Sequence, residues 1–129
     1  MQDHDDPRPR LDARWAIHVA LTAILAWLAL RLWWPDDIFT TSGSFAPMAR
    51  IAPENTWAAG IWMTSCVGVV GVVSRNRLLR FISIAVVATT HGALAFLLAK
   101  NGPGLAPGIL VINALQGYYL LVRRAHAGL

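Results

Sequence analysis

Acidic side chains are missing from every long apolar run of this chain, and charge of either sign is scarce: 14% of the 129 residues are charged and 56% are hydrophobic. A mean hydropathy of +0.49 leaves too little polar surface for a soluble domain of this length, so one small membrane-embedded domain is expected. A single cysteine, Cys66, lies within an apolar run, which excludes an intrachain disulfide and a zinc cluster. The sequence also has no H-E-x-x-H, no G-x-S-x-G, no P-loop and no paired carboxylate inside an apolar run. Neither an enzyme nor an ion-coupled transporter is supported, and no cofactor or metal is expected. The pI near 10.2 would raise nucleic acid as a partner, but the arginines sit at the ends of apolar runs and line no face, so nucleic acid is excluded too.

What is present is organised around Ser74-Arg75-Asn76-Arg77-Leu78-Leu79-Arg80, a basic turn between the two longest uncharged apolar runs. Those runs, at about 17 to 19 residues and ~1.5 Å of rise each, cover most of a hydrocarbon core of ~30 Å. The chain reads as all-α, a bundle of four transmembrane helices over about 15–34, 56–73, 81–99 and 105–122. Residues 1–14, polar and broken by Pro7 and Pro9, read as a flexible terminus, and 125–129 as a short tail. The Asp3, His4, Asp5, Asp6 cluster lacks the preorganisation a metal site needs. The first run is long for a signal peptide, and no small-x-small cleavage site precedes Pro35, so it is expected to be a retained span.

Lys and Arg are retained on the cytoplasmic side, which orients the spans. With both termini cytoplasmic, Arg8, Arg10, Arg14, Arg75, Arg77, Arg80, Arg123 and Arg124 lie inside, against Arg31, Arg50 and Lys100 outside. The expected site is the bacterial inner membrane, multi-pass. Trp15, Trp33, Trp34, Tyr118 and Tyr119 fall where interfacial anchors belong. In the outer connection 35–56, Phe45, Met48 and Ile51 recur every three residues behind Ser44, a possible N-cap; this predicts a short helix lying in the membrane surface with its apolar side down. Asp36, Asp37 and Glu54 make that connection acidic, and Pro53 is expected in the first turn of the second span.

Small residues mark helix-packing faces: Gly60, Thr64 and Gly68 repeat every four, and Ser65, Gly68, Gly71 and Ser74 every three. The first line is expected to close the monomer against the third span through Ala88 and Gly92; packing between copies is the alternative. Counting at ~1.5 Å per residue from the basic flanks puts His91 and Asn113 near the bilayer midplane, with Thr22 and Ser65 within about a turn of them. A polar layer of Thr22, Ser65, His91 and Asn113 is expected, with His91 either a functional group or a neutral residue hydrogen-bonded to its neighbours. A haem held by His18 and His91 is excluded by an offset of roughly 10 Å along the membrane normal.

The run Pro35-Asp36-Asp37-Ile38-Phe39, then Phe45 and Met48, then Ile51-Ala52-Pro53-Glu54 and Trp57, with the basic turn and the Arg123-Arg124 pair, resembles small four-span membrane proteins of bacteriophages and prophages. The likeness covers about 15–124; where that family has Asp-Thr-Phe and Trp-Gly, this chain has Asp37-Ile38-Phe39 and Trp57-Ala58. It implies a phage-related inner-membrane protein, holin-like in size and topology, with no activity to carry over. Two functions then stand: a nonenzymatic protein that oligomerises into a membrane lesion, or a membrane binding protein, such as a superinfection-exclusion factor or accessory subunit, using its acidic outer loop. The lipid bilayer is the expected partner, with a homo-oligomer or another membrane protein beside it.

Overall fold

The computed structural model describes residues 13–35, 38–100 and 105–126. The Asp3, His4, Asp5, Asp6 cluster, Pro7 and Pro9, Asp36 and Asp37, residues 101–104 and the last residues of the tail lie outside them. Every described element is helical: α1 Ala13–Trp33, α2 Ile38–Thr41, a single 3-10 turn Gly43–Phe45, α3 Ala46–Ala49, α4 Glu54–Val73, α5 Arg77–Ala99 and α6 Leu105–His126. Among the described residues, α1, α4 and α5 are long and apolar enough to cross a membrane. The long helix α6 packs along α5, while α1 packs along α4 and α4 along α5.

Local signals account for the boundaries. Pro35, which has no N–H to donate, follows the end of α1. Pro53 is the N-cap of α4, one residue earlier than the expected first-turn position; its carbonyl accepts from Thr56 N and Trp57 N at 3.0 and 3.3 Å. Glu54 follows in the first turn, where its negative charge suits the helix dipole.

The basic turn is shorter than its charge pattern implies. Only 74–76 is non-helical between α4 and α5, and Arg77 and Arg80 already belong to the first turn of α5. Asn76 is responsible: its side chain accepts from Leu78 N at 2.8 Å and Leu79 N at 3.4 Å, the N-cap arrangement that satisfies orphan donors. Arg80 Nε donates to the Ser74 carbonyl at 2.7 Å, joining the end of one helix to the start of the next.

The outer connection departs from the expected surface helix. Ser44 lies inside the 3-10 turn and is no cap, and the helical turn after it is four residues long. Met48 is fully buried in the protein's own core, Phe45 stacks on Phe39 with centroids 5.8 Å apart, and Ile51 stays exposed. Trp57 Nε1 donates to the Met48 carbonyl at 2.9 Å, and the Glu54 carboxylate accepts from Ile38 N and Phe39 N at 3.2 and 3.3 Å. The apolar side of this segment is therefore turned onto the helix ends.

Between the helices, Leu21, Leu25, Ala29, Ile61, Val87 and Leu94 belong to one continuous core. Outward faces are equally apolar: Trp27, Trp62, Met63, Val73, Phe96 and Leu115 are each half or more exposed. Helices apolar on all sides suit a hydrocarbon surrounding, where a water-soluble protein would bury one face only.

Candidate polar site within the helix bundle

Three close approaches fix the register. A Cβ built on Gly68 would lie 2.6 Å from Oγ1 and Cγ2 of Thr22; one on Gly71 would collide with Ser83 and come within 3.0 Å of His18; one on Gly117 would lie 2.5 Å from the Ala88 Cβ and 3.6 Å from Leu21. Small residues thus close the bundle from within, since only a missing side chain permits such backbone approach. The line repeating every three, through Ser65, Gly68 and Gly71, is the buried one. The line repeating every four is not: Gly60 has open space around it and Thr64, which bonds the Gly60 carbonyl at 3.1 Å, is only partly covered. The expected pairing of Gly68 with Ala88 and Gly92 is corrected as well. Gly68 meets Thr22 of α1, while Ala88 meets Gly117, and a Cβ built on Gly92 would lie 3.8 Å from the Ala114 Cβ, both on α6.

Two polar tiers sit on this frame. The tier nearer the basic turn joins α1, α4 and α5 through His18 and Ser83, each 2% exposed. His18 Nε2 lies 3.0 Å from Ser83 Oγ, and Ser83 Oγ lies 3.5 Å from the Gly68 carbonyl oxygen. A carbonyl only accepts, so both contacts are met when His18 Nε2–H donates to Ser83 and the serine hydroxyl donates to Gly68. Thr22 donates to the His18 carbonyl at 2.9 Å, a bond within its own helix. The Ser–His distance alone would suit a nucleophile and its base. Here both side chains are enclosed, and the Gly71 backbone lies close beside them.

About two turns further from the basic end, counting along the helices from these approaches puts Ser65, His91 and Asn113 near the level of Leu25. All three polar residues are buried, His91 completely. Ser65 donates to the Ile61 carbonyl at 2.9 Å and His91 Nδ1 bonds the Val87 carbonyl at 2.9 Å. His91 Nε2 and Asn113 Nδ2 have no hydrogen-bond partner. All four residues expected in one layer are buried, and Thr22 lies beside Gly68, about one turn nearer the basic end than Leu25.

His18 and Ser83 were not legible as a pair. Ser83 lies three residues after an exposed-looking arginine, and the cue available was spacing: Ser83, Val87 and His91 recur every four on one buried face of α5. The two buried histidines are eight residues apart in helix level, because His18 stands opposite Ser83. At ~1.5 Å per residue that is about 12 Å, in keeping with the exclusion of a shared haem.

Arg75 and Arg77 are exposed beside Arg80 at one end of the bundle. Arg123 lies over the Tyr119 ring at 5.7 Å, and Arg124 is partly buried in the last turns of α6. At the other end Lys100 lies over Phe96 at 5.1 Å, and an apolar cleft between α1 and α4 is lined by Ala29, Leu30, Trp33 and Trp62. Among the described residues no three His, Cys, Asp or Glu side chains come together. Compared with known proteins, the chain matches no family model, no curated protein and no solved structure.

Proposed function

We propose that this chain is a nonenzymatic, phage-type integral protein of the bacterial inner membrane, crossing it four times with both termini cytoplasmic, and that it accumulates and oligomerises into a holin-like lesion. The observation that carries the membrane reading is the outward surface: Trp27, Trp62, Met63, Phe96, Ile112 and Leu115 project away from a core that encloses the polar side chains. In water such a surface would drive aggregation, whereas in lipid it is the solvated face. The exposed apolar residues of α6 extend that surface to the fourth helix and support counting it as a span.

The lesion reading draws on what the bundle leaves unused. Gly68, Gly71 and Gly117 are consumed in closing the monomer, while Gly60 and Thr64 remain on the outer face of α4 for contact between copies. The competing binding reading loses part of its basis, because the Glu54 carboxylate is engaged by the backbone of α2 and is not displayed. Inducing the protein alone in a bacterial host should collapse the membrane potential abruptly after a delay set by accumulation. Gradual slowing of growth with the potential intact would overturn the lesion reading.

A further inference from the structure

Two clefts meet at Trp33. The lower one, of about 290 Å³, lies between α1 and α4 and is lined by Ala29, Leu30, Trp33 and Trp62. The upper one, of about 270 Å³, has among its lining Trp33, Trp34 and Pro35 at the end of α1, and Pro53, Glu54 and Asn55 at the start of α4. The shared Trp33 makes them one groove, apolar below and polar above. From Ala29 to Pro35 it runs roughly 9 Å along the chain direction of α1, at ~1.5 Å per residue. Its upper end is where α1 stops and α4 begins, the level at which tryptophans of a membrane protein sit among headgroups. The charge in this lining is of one sign. Glu54 brings a carboxylate, whose bonds from Ile38 N and Phe39 N fix its place in the wall and leave its negative charge uncancelled. Two indoles share that wall, and the face of a tryptophan attracts a cation. Among the described residues no lysine or arginine lines either cleft, Arg31 of the last turn of α1 included. A carboxylate beside two indoles is the chemistry that recognises an ammonium group.

We propose that this groove binds one phospholipid whose headgroup carries an ammonium ion, an ethanolamine or choline lipid of the surrounding bilayer. An acyl chain lies in the lower cleft against Ala29, Leu30 and Trp62, and the ammonium sits in the upper cleft between Glu54 and the indoles of Trp33 and Trp34. The Asn55 amide supplies N–H donors, which suit the phosphate oxygens. An anionic lipid would bring its phosphate toward Glu54 with no positive group to offset it. A second copy of this chain, docking by an apolar helix face, would fill the lower cleft and set hydrocarbon against the carboxylate wall, which is disfavoured. The proposal rests on the membrane reading and is independent of the lesion reading.

The test uses the full chain, reconstituted in vesicles of equal parts phosphatidylethanolamine and phosphatidylglycerol with identical acyl chains, then released in mild detergent for native mass spectrometry. The chain should retain one lipid, with phosphatidylethanolamine favoured several-fold. Trp62→Ala removes one wall of the lower cleft and should lower retention of both lipids several-fold. Glu54→Gln and Trp34→Leu should each bring the two lipids toward equal retention. Trp34 is more than half exposed, so its variant serves if Glu54→Gln disturbs the outer connection. Equal retention by the parent chain, or a preference for phosphatidylglycerol, would overturn the ammonium site. No retained lipid, or a dimer in its place that Trp62→Ala abolishes, would overturn the groove as a lipid site. A chain that stays out of the vesicles would overturn the membrane reading and this proposal together.

Discussion

Gly68 of α4 and Thr22 of α1 lie in direct apposition, with room for a hydrogen atom but not for a methyl group: an added Cβ would sit 2.6 Å from two atoms of the threonine side chain. Gly68→Ala should therefore destabilise the folded protein by about 1–3 kcal/mol, the usual range for over-packing. Thr22→Ala in the same chain removes both colliding atoms and should restore most of the loss. Thermal unfolding in detergent, followed by helix signal, measures both. Additive losses in the double variant would show that the two residues do not touch.

Gly60 supplies the contrast, since a Cβ there meets nothing within 4 Å. Gly60→Leu should leave the yield of folded monomer unchanged and, under the lesion reading, remove detergent-resistant oligomers. A drop in folded yield would mean that Gly60 also packs inside the monomer.

Helix number and the approximate limits of α1, α4, α5 and α6 were legible because apolar runs and basic flanks dominate so hydrophobic a chain. The packing partners were not. Gly60, Thr64 and Gly68 look equivalent in sequence, and only the arrangement of α1 against α4 decides that Gly68 is enclosed and Gly60 open. Depth counting picked out Thr22, Ser65, His91 and Asn113, all of them buried, since depth depends on residue number along straight helices. It could not show that His18 faces Ser83, which depends on rotation about each helix axis. In the outer connection the spacing of Phe45, Met48 and Ile51 was real but ambiguous, because an apolar stripe can meet lipid or protein equally well. The hydrogen bonds of Trp57 and Glu54 turn it toward protein.

Those hydrogen bonds make the outer connection testable. Trp57→Phe keeps the ring and removes the donor to the Met48 carbonyl, and Glu54→Ala frees two backbone N–H groups of α2. Each change should weaken the local structure by about 1 kcal/mol, the net worth of an ordinary hydrogen bond. Limited proteolysis should then cut within 38–52 several-fold faster while α4 and α5 stay protected. Unchanged cleavage in both variants would show that the connection is held by Met48 and the Phe39–Phe45 stack alone.

Under the proposed topology, a reporter inserted near Gly43 is periplasmic and one fused after Arg124 is cytoplasmic. Replacing Arg75, Arg77 and Arg80 with neutral residues should give mixed orientations, because the basic bias falls from eight against three to five against three. Arg80→Gln alone carries a second effect, since its Nε bond to the Ser74 carbonyl is at stake. A periplasmic reporter after Arg124 in the parent chain would overturn the topology.

At Gly117 of α6 an added Cβ would lie 2.5 Å from the Ala88 Cβ and 3.3 Å from its Cα. A flexible side chain could move aside, but a main-chain atom cannot, so α5 and α6 would have to separate. Gly117→Ala should lower stability by about 1–3 kcal/mol, against the small gain that alanine normally brings to a helix. Gly108, on the same helix with nothing within 4 Å of its added Cβ, is the control: Gly108→Ala should be neutral or stabilising by up to about 1 kcal/mol. Ala88→Gly combined with Gly117→Ala exchanges the methyl group across the interface and should recover most of the loss. If Gly117→Ala proved as stable as the parent, α6 would not lie this close to α5.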